Sequence, residues 1–370
     1  MPALPFASTL SWYSILHAAP LRPLHTFFRA AEERFRPTQV LPYAPTVVRA
    51  QDDLVRRGLT TEDRKAAVLR ETGRGTTPTI VLGGFVPDSA AQAFLLRRFF
   101  LQSGDIYSLI YAREGFSLDL LCAQLDDLVA ELDAAGRRPV IFGVSFGAGI
   151  VLEWLRRQRL TGNEPALAGV VLVSPVACMA DVFAPDAVKP STLLGRAVKP
   201  FLDPKAPPTE AAVERSRTVF TRMFEAGAQN KAALRRLMTM SELERLRSNV
   251  MTTIRGITAN GARERMQAMS SMKAPTDYFL PGLLPLTNVP ALVLFAERED
   301  AVLDPRSPSV FAFKHAHRAY FPQGVVHEIR ARDGDSPVQH ASLIFHVFEF
   351  LPPLREFYAR VRALNLALAA

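Results

Sequence analysis

Between residues 79 and 173 the chain alternates two rhythms. Residues 79–82, 106–111, 140–142 and 167–173 are short runs, apolar nearly throughout. Such runs suit strands buried on both faces. The intervening stretches 90–102 and 118–132 carry apolar residues at helical spacing, the second with Ser117 placed as an N-cap. Strands separated by helices predict a parallel sheet covered on both faces. The alternation stops after Pro175, and residues 181–283 read as one helix after another. It resumes with strands at 291–295 and 325–331 and a closing helix from residue 340. The predicted class is α/β. A mostly parallel core is built from 77–180 and 284–370, and an all-helical insertion occupies 181–283.

Residues 1–76 follow neither rhythm. Phe6, Leu10, Trp12, Tyr13, Leu24, Phe27, Phe28 and Phe35 crowd the first thirty-five positions around Pro20 and Pro23, which suits two short amphipathic helices. Glu62 and Asp63 suit the first turn of a further helix running to about Arg70. The expectation is an N-terminal helical extension, either packed on the core or presented as an amphipathic arm to a membrane or a partner.

Composition narrows the class. A 370-residue chain that is 48% hydrophobic supports a large core. Two cysteines, Cys122 and Cys178, leave no disulfide framework or cysteine-rich metal site to expect. No apolar stretch reaches transmembrane length and no secretory leader is evident, so the expected compartment is the cytoplasm. The net charge is +8, and residues 181–283 carry sixteen Arg and Lys against ten Asp and Glu. With no basic run or nucleic-acid motif, nucleic acid is excluded as a partner. An anionic substrate group or peripheral contact with an anionic membrane remains open.

The candidate chemistry lies at Gly143-Val144-Ser145-Phe146-Gly147, between the strand at 140–142 and a helix-compatible stretch at 148–158. Strand, Gly-x-Ser-x-Gly, helix is the pattern of a sharp turn that lifts one serine clear of the backbone, above helix amides that favour negative charge. Ser145 is the predicted nucleophile. A serine hydroxyl needs a base within hydrogen-bond reach. Of seven histidines, His340 alone follows the last strand and a polar turn, where it opens the closing helix.

With these residues the chain resembles the α/β-hydrolase family over about residues 77–370, the helical insertion standing where that family carries a cap. The resemblance implies serine, acid and histidine in that chain order, and no cofactor. It points to Asp300 as the acid, with Glu297, Glu299, Asp304 and Asp181 also open. It points to backbone N–H groups of Phe85 and Phe146 as the oxyanion hole, with Gly83-Gly84 standing where the family commonly has His-Gly.

Seven of nine methionines fall between residues 223 and 272, a flexible apolar set suited to varied ligands. Met238, Met266 and Gly84 are the expected substrate contacts, and the expected substrate is a small apolar or acyl molecule. The leading reading is a serine hydrolase of carboxylic esters, esterase- or lipase-like. The alternatives are a thioesterase or acyltransferase with the same triad, or a non-catalytic binding protein on this fold.

Overall fold

The computed structural model describes residues 39–369, apart from 185, 204–207, 229–233, 235–236 and 333. The elements run in chain order β1 (Val40–Tyr43), α1 (Arg49–Arg56), β2 (Ala67–Glu71), β3 (Thr79–Leu82), α2 (Ser89–Gln92), α3 (Arg97–Ser103), β4 (Ile106–Ile110), α4 (Leu118–Ala134), β5 (Val140–Val144) and α5 (Phe146–Leu160). After β6 (Gly169–Val173) come α6 (Leu193–Val198), α7 (Glu210–Ala228), α8 (Met240–Arg255) and α9 (Ala259–Ser271). The chain closes with β7 (Ala291–Ala296), α10 (Pro308–Tyr320), β8 (Gly324–Ile329) and α11 (Val347–Ala369).

The eight strands form one sheet in the order β1-β2-β4-β3-β5-β6-β7-β8, parallel from β4 to β8. Every residue of β3, β5, β6 and β7 is buried, as unbroken apolar runs require when helices cover both faces. Ser117 caps α4 by accepting from Leu120 N–H at 3.2 Å.

Three expectations are corrected. Of the presumed N-terminal helical extension, residues 40–43 and 67–71 are strands, which add an antiparallel edge to the sheet through β2 and β4. Glu62 and Asp63 open only a 3-10 turn, Glu62–Arg64, because the following residues find strand partners in β4. Pro42 is tolerated in β1 because that strand is the sheet edge. The two helices expected within the first thirty-five residues lie outside the described residues. The closing helix begins at Val347, not at residue 340, so His340 sits in a run of turns ahead of it.

Candidate active site

The turn after β5 is built by close approach. A Cβ on Gly143 would sit 2.6 Å from Ala148 Cα, and one on Gly147 would sit 2.4 Å from the Gly83 carbonyl oxygen. Only glycine lets α5 fold back this tightly against β5 and β3. Between them Ser145 adopts φ 52°, a left-handed conformation costly for any residue with a side chain. It is held by Ser145 N–H donating to the Val173 carbonyl at 2.8 Å and by the Ser145 carbonyl accepting from Ala148 and Gly149 N–H.

Ser145 Oγ lies 2.9 Å from His340 Nε2. On the other side of the imidazole, Nδ1 hydrogen-bonds the Glu299 carboxylate. The carboxylate is itself fixed: its Oε1 accepts from Ser174 Oγ and from Ala296 N–H, both at 2.7 Å. Ser174 also accepts from Ala341 N–H at 3.2 Å, so one buried hydroxyl links the acid to the histidine loop.

The register explains why Glu299 faces the histidine. Beyond β7, Arg298 N–H donates to the Val338 carbonyl, and Arg298 forms an isolated parallel bridge with Gln339. The next residues on the two segments, Glu299 and His340, are therefore neighbours. Glu297 anchors the same junction, accepting from Ala331 and Val338 N–H, and those bonds hold its carboxyl below the ordinary value. His346 ties the loop from within. It bonds the Ser336 carbonyl through Nε2 and the Ser342 hydroxyl through Nδ1, both at 3.0 Å, and burial pushes its pKa down.

Phe85 and Phe146 flank the serine with ring centroids 6.0 Å apart. Phe146 N–H is the first amide of α5, which has no acceptor within the helix. Among the described residues neither Phe85 N–H nor Phe146 N–H donates to another group. The loop carrying Phe85 is pinned by side chains. Tyr111 Oη donates to the Gly83 carbonyl and Gln92 Oε1 accepts from Gly84 N–H, both at 2.8 Å. A Cβ on Gly84 would lie 3.3 Å from Ser145 Cβ, so this position keeps the loop close to the serine.

Ser145 and His340 open into a cavity of about 570 Å³, within the usual range for small-molecule sites. Its walls come from the insertion (Leu193 and Leu194 of α6, Phe220, Met223 and Phe224 of α7, Val250 and Ile254 of α8) and from the histidine loop. Among the described lining residues there is no Asp, Glu, Lys or Arg.

Two comparisons by sequence return nothing: no family model and no curated protein matches this chain. Solved structures do match. A membrane phospholipase A described as a bacterial virulence factor superposes with a TM-score of 0.56 at 12% identity, covering 96% of each chain. An esterase from Thermogutta terrifontis gives 0.54 at 15% identity, covering 87% of this chain and 99% of its own. The esterase RhEst1 from Rhodococcus sp. ECU1013 gives 0.51 at 16%, covering 80% and 96%. The chain has the α/β-hydrolase fold.

Within this α/β-hydrolase fold some expected site residues come together and others do not. Ser145, His340, Phe85 and Phe146 converge. Asp300 does not: it is exposed in the turn after β7, one residue past the carboxylate that meets the imidazole. The other acids are engaged elsewhere. Asp304 accepts from Ser191 Oγ and Arg306 N–H. Asp181, fully buried, accepts from Ala177, Cys178 and Ser309 N–H and from the Ser307 and Ser309 hydroxyls, joining the β6 loop to the start of α10. Met238 and Met266 are each 1% exposed and pack in the core, away from the cavity wall, whereas Met223 lines it. The excess positive charge of the insertion does not reach the described lining either. Ser174 and Gln92 escaped the sequence reading because nothing in their local pattern marks them; only the folded loops bring them to the site. No helix among the described residues is long and apolar enough to cross a membrane.

Proposed function

We propose that this protein is a serine hydrolase that cleaves carboxylic esters with an uncharged, apolar acyl chain, through an acyl-enzyme on Ser145. One observation carries the reading: Ser145 Oγ stands 2.9 Å from His340 Nε2, with Glu299 on the far nitrogen, at the wall of a cavity whose described lining bears no charge.

In this reading Glu299 holds the neutral imidazole with its proton on Nδ1, leaving Nε2 free to accept. Ser145 Oγ attacks the ester carbonyl while its proton passes to His340 Nε2. The carbonyl oxygen takes the negative charge and faces the Phe85 and Phe146 N–H groups. Collapse breaks the bond to the alcohol oxygen, which leaves with the proton from Nε2. Water then gives a proton to Nε2, attacks the acyl-serine, and releases the carboxylic acid with Ser145 reprotonated. An ester-type acyl group is favoured because the lining offers apolar contact but no described cation to pair an anionic chain.

The test has two parts. A fluorophosphonate should label Ser145, as located by mass spectrometry, and Ser145→Ala should neither label nor turn over while unfolding at the wild-type temperature. A labelled serine elsewhere, or well-folded wild-type protein that labels nowhere, would overturn the reading.

A further inference from the structure

The cap meets the oxyanion loop at Phe85, through the stacked ring of Phe220 and through one buried cation. Arg265 of α9 is 8% exposed. Its Nη1 donates to the Phe85 carbonyl at 3.1 Å and its Nη2 to the Ala112 carbonyl at 3.0 Å. The guanidinium lies 5.7 Å from the ring centroid of Phe85 and 5.6 Å from that of Tyr111. Tyr111 is the residue whose hydroxyl grips Gly83. Among the described residues Arg265 forms no ion pair with a carboxylate, and its Nε has no partner.

A buried guanidinium without a directly paired carboxylate is an expensive way to hold a helix against two loops. Carbonyl dipoles and ring faces compensate it only in part. Asp88 attracts it from a distance without an ion pair, so the charge is only partly offset beside the loop whose Phe85 N–H faces the developing oxyanion. We infer that Arg265 is a positioning residue for the oxyanion loop, fixing Phe85 and making correct seating of the cap a condition for turnover. This rests on the reading of Ser145 as an acylated nucleophile.

The loop Gly83–Phe85 is thus held from three directions: Tyr111 on Gly83, Gln92 on Gly84 and Arg265 on Phe85. Of these hydrogen bonds only the third comes from the cap; the cap's Phe220 stacks on the Phe85 ring at 5.9 Å but bonds no backbone group of the loop. The cap has other attachments that do not touch this loop. Thr258 Oγ1 donates to the Arg113 carbonyl at 2.9 Å, Asn260 Nδ2 to the Glu114 carbonyl at 2.8 Å, and Glu264 accepts from Phe116 N–H at 2.6 Å. Arg64 pairs with Glu264 at 2.8 Å, and Thr253 Oγ1 donates to Asp88 at 2.9 Å. These contacts keep α9 docked when Arg265 is replaced, so its contribution to catalysis is separable from cap attachment.

The test uses Arg265→Met, which keeps the stem and removes the donors, and Arg265→Lys, which keeps one cationic donor. Two rates are measured: phosphonylation of Ser145, and kcat for an ester normalised to phosphonate-titrated sites. Arg265→Met should lower both by roughly ten- to a hundredfold, a fraction of the loss of an oxyanion donor, with KM changed less than about threefold. Arg265→Lys should fall between Met and wild type in both. An unchanged kcat per titrated site with only a lower Tm would reduce Arg265 to packing and overturn the inference. So would a rise in KM alone, or failure of both variants to fold. Wild-type protein that labels at Ser145 but hydrolyses no ester would sink the ester reading, while the labelling rates would still decide the role of Arg265.

Discussion

Exchanging one oxygen for nitrogen at Glu299 gives the sharpest test of the proposed Ser145–His340–Glu299 geometry, because the surrounding donors dictate how the new amide must sit. Glu299 Oε1 accepts from Ser174 Oγ and Ala296 N–H. In Glu299→Gln the amide oxygen must take that place, since two donors already point there. The amide nitrogen then faces His340 Nδ1, donor against donor. The imidazole relieves the clash by moving its proton to Nε2, which then donates to Ser145 Oγ and can no longer accept its proton. Misplacing the tautomer in this way costs about 10⁴-fold in kcat, or about 5.5 kcal/mol of transition-state stabilisation. Asp300→Asn, at an exposed position, should stay within about twofold of wild type. Steady-state hydrolysis of a chromogenic ester, normalised to folded protein by circular dichroism, separates the two. A Glu299→Gln enzyme retaining a tenth of wild-type kcat, or a crippled Asp300→Asn, would refute the reasoning.

Three further outcomes are expected. Met223→Trp should fill the cavity from α7 and move the optimum of an acyl-length series toward shorter chains, with kcat/KM falling about fourfold for each methylene excluded; an unchanged optimum would place the acyl chain elsewhere. Met266→Ala should cost about 2–5 kcal/mol in denaturant titration, since it empties a core site, yet leave that optimum in place; a shifted optimum would return Met266 to the substrate wall. Burial works to raise the pKa of Asp105, but Gly73 N–H, Arg70 and Arg137 outweigh it and hold the carboxyl below its ordinary value of 3.8. That contribution to stability is present above the unfolded value and lost as pH falls through the lower folded one. The denaturation midpoints of wild type and Asp105→Asn should therefore converge under acid conditions; a constant gap would refute the assignment.

The sequence alone determined what depends on neighbours in the chain. Unbroken apolar runs specify strands that can only be buried on both faces. Gly143 and Gly147 specify the turn that exposes Ser145, since any Cβ there would strike backbone. The nearness of His340 to Ser145 was legible from its place after the last strand, although the helix it was expected to open starts only at Val347. Other features depend on partners distant in sequence, and only the tertiary structure decided those. Residues 67–70 read as the end of a helix until β4 offers them a ladder. Met238 and Met266 are the same residue type as Met223, and only the packing shows that Met223 lines the cavity while the other two lie in the core. In the run Glu297 to Asp304, four carboxylates are equivalent as letters. The pairing of Arg298 with the segment before His340 sets Glu299 beside the imidazole and leaves Asp300 in solvent. A shift of one residue in that register would have reversed the choice, and register is a property of two segments brought together, which neither carries by itself.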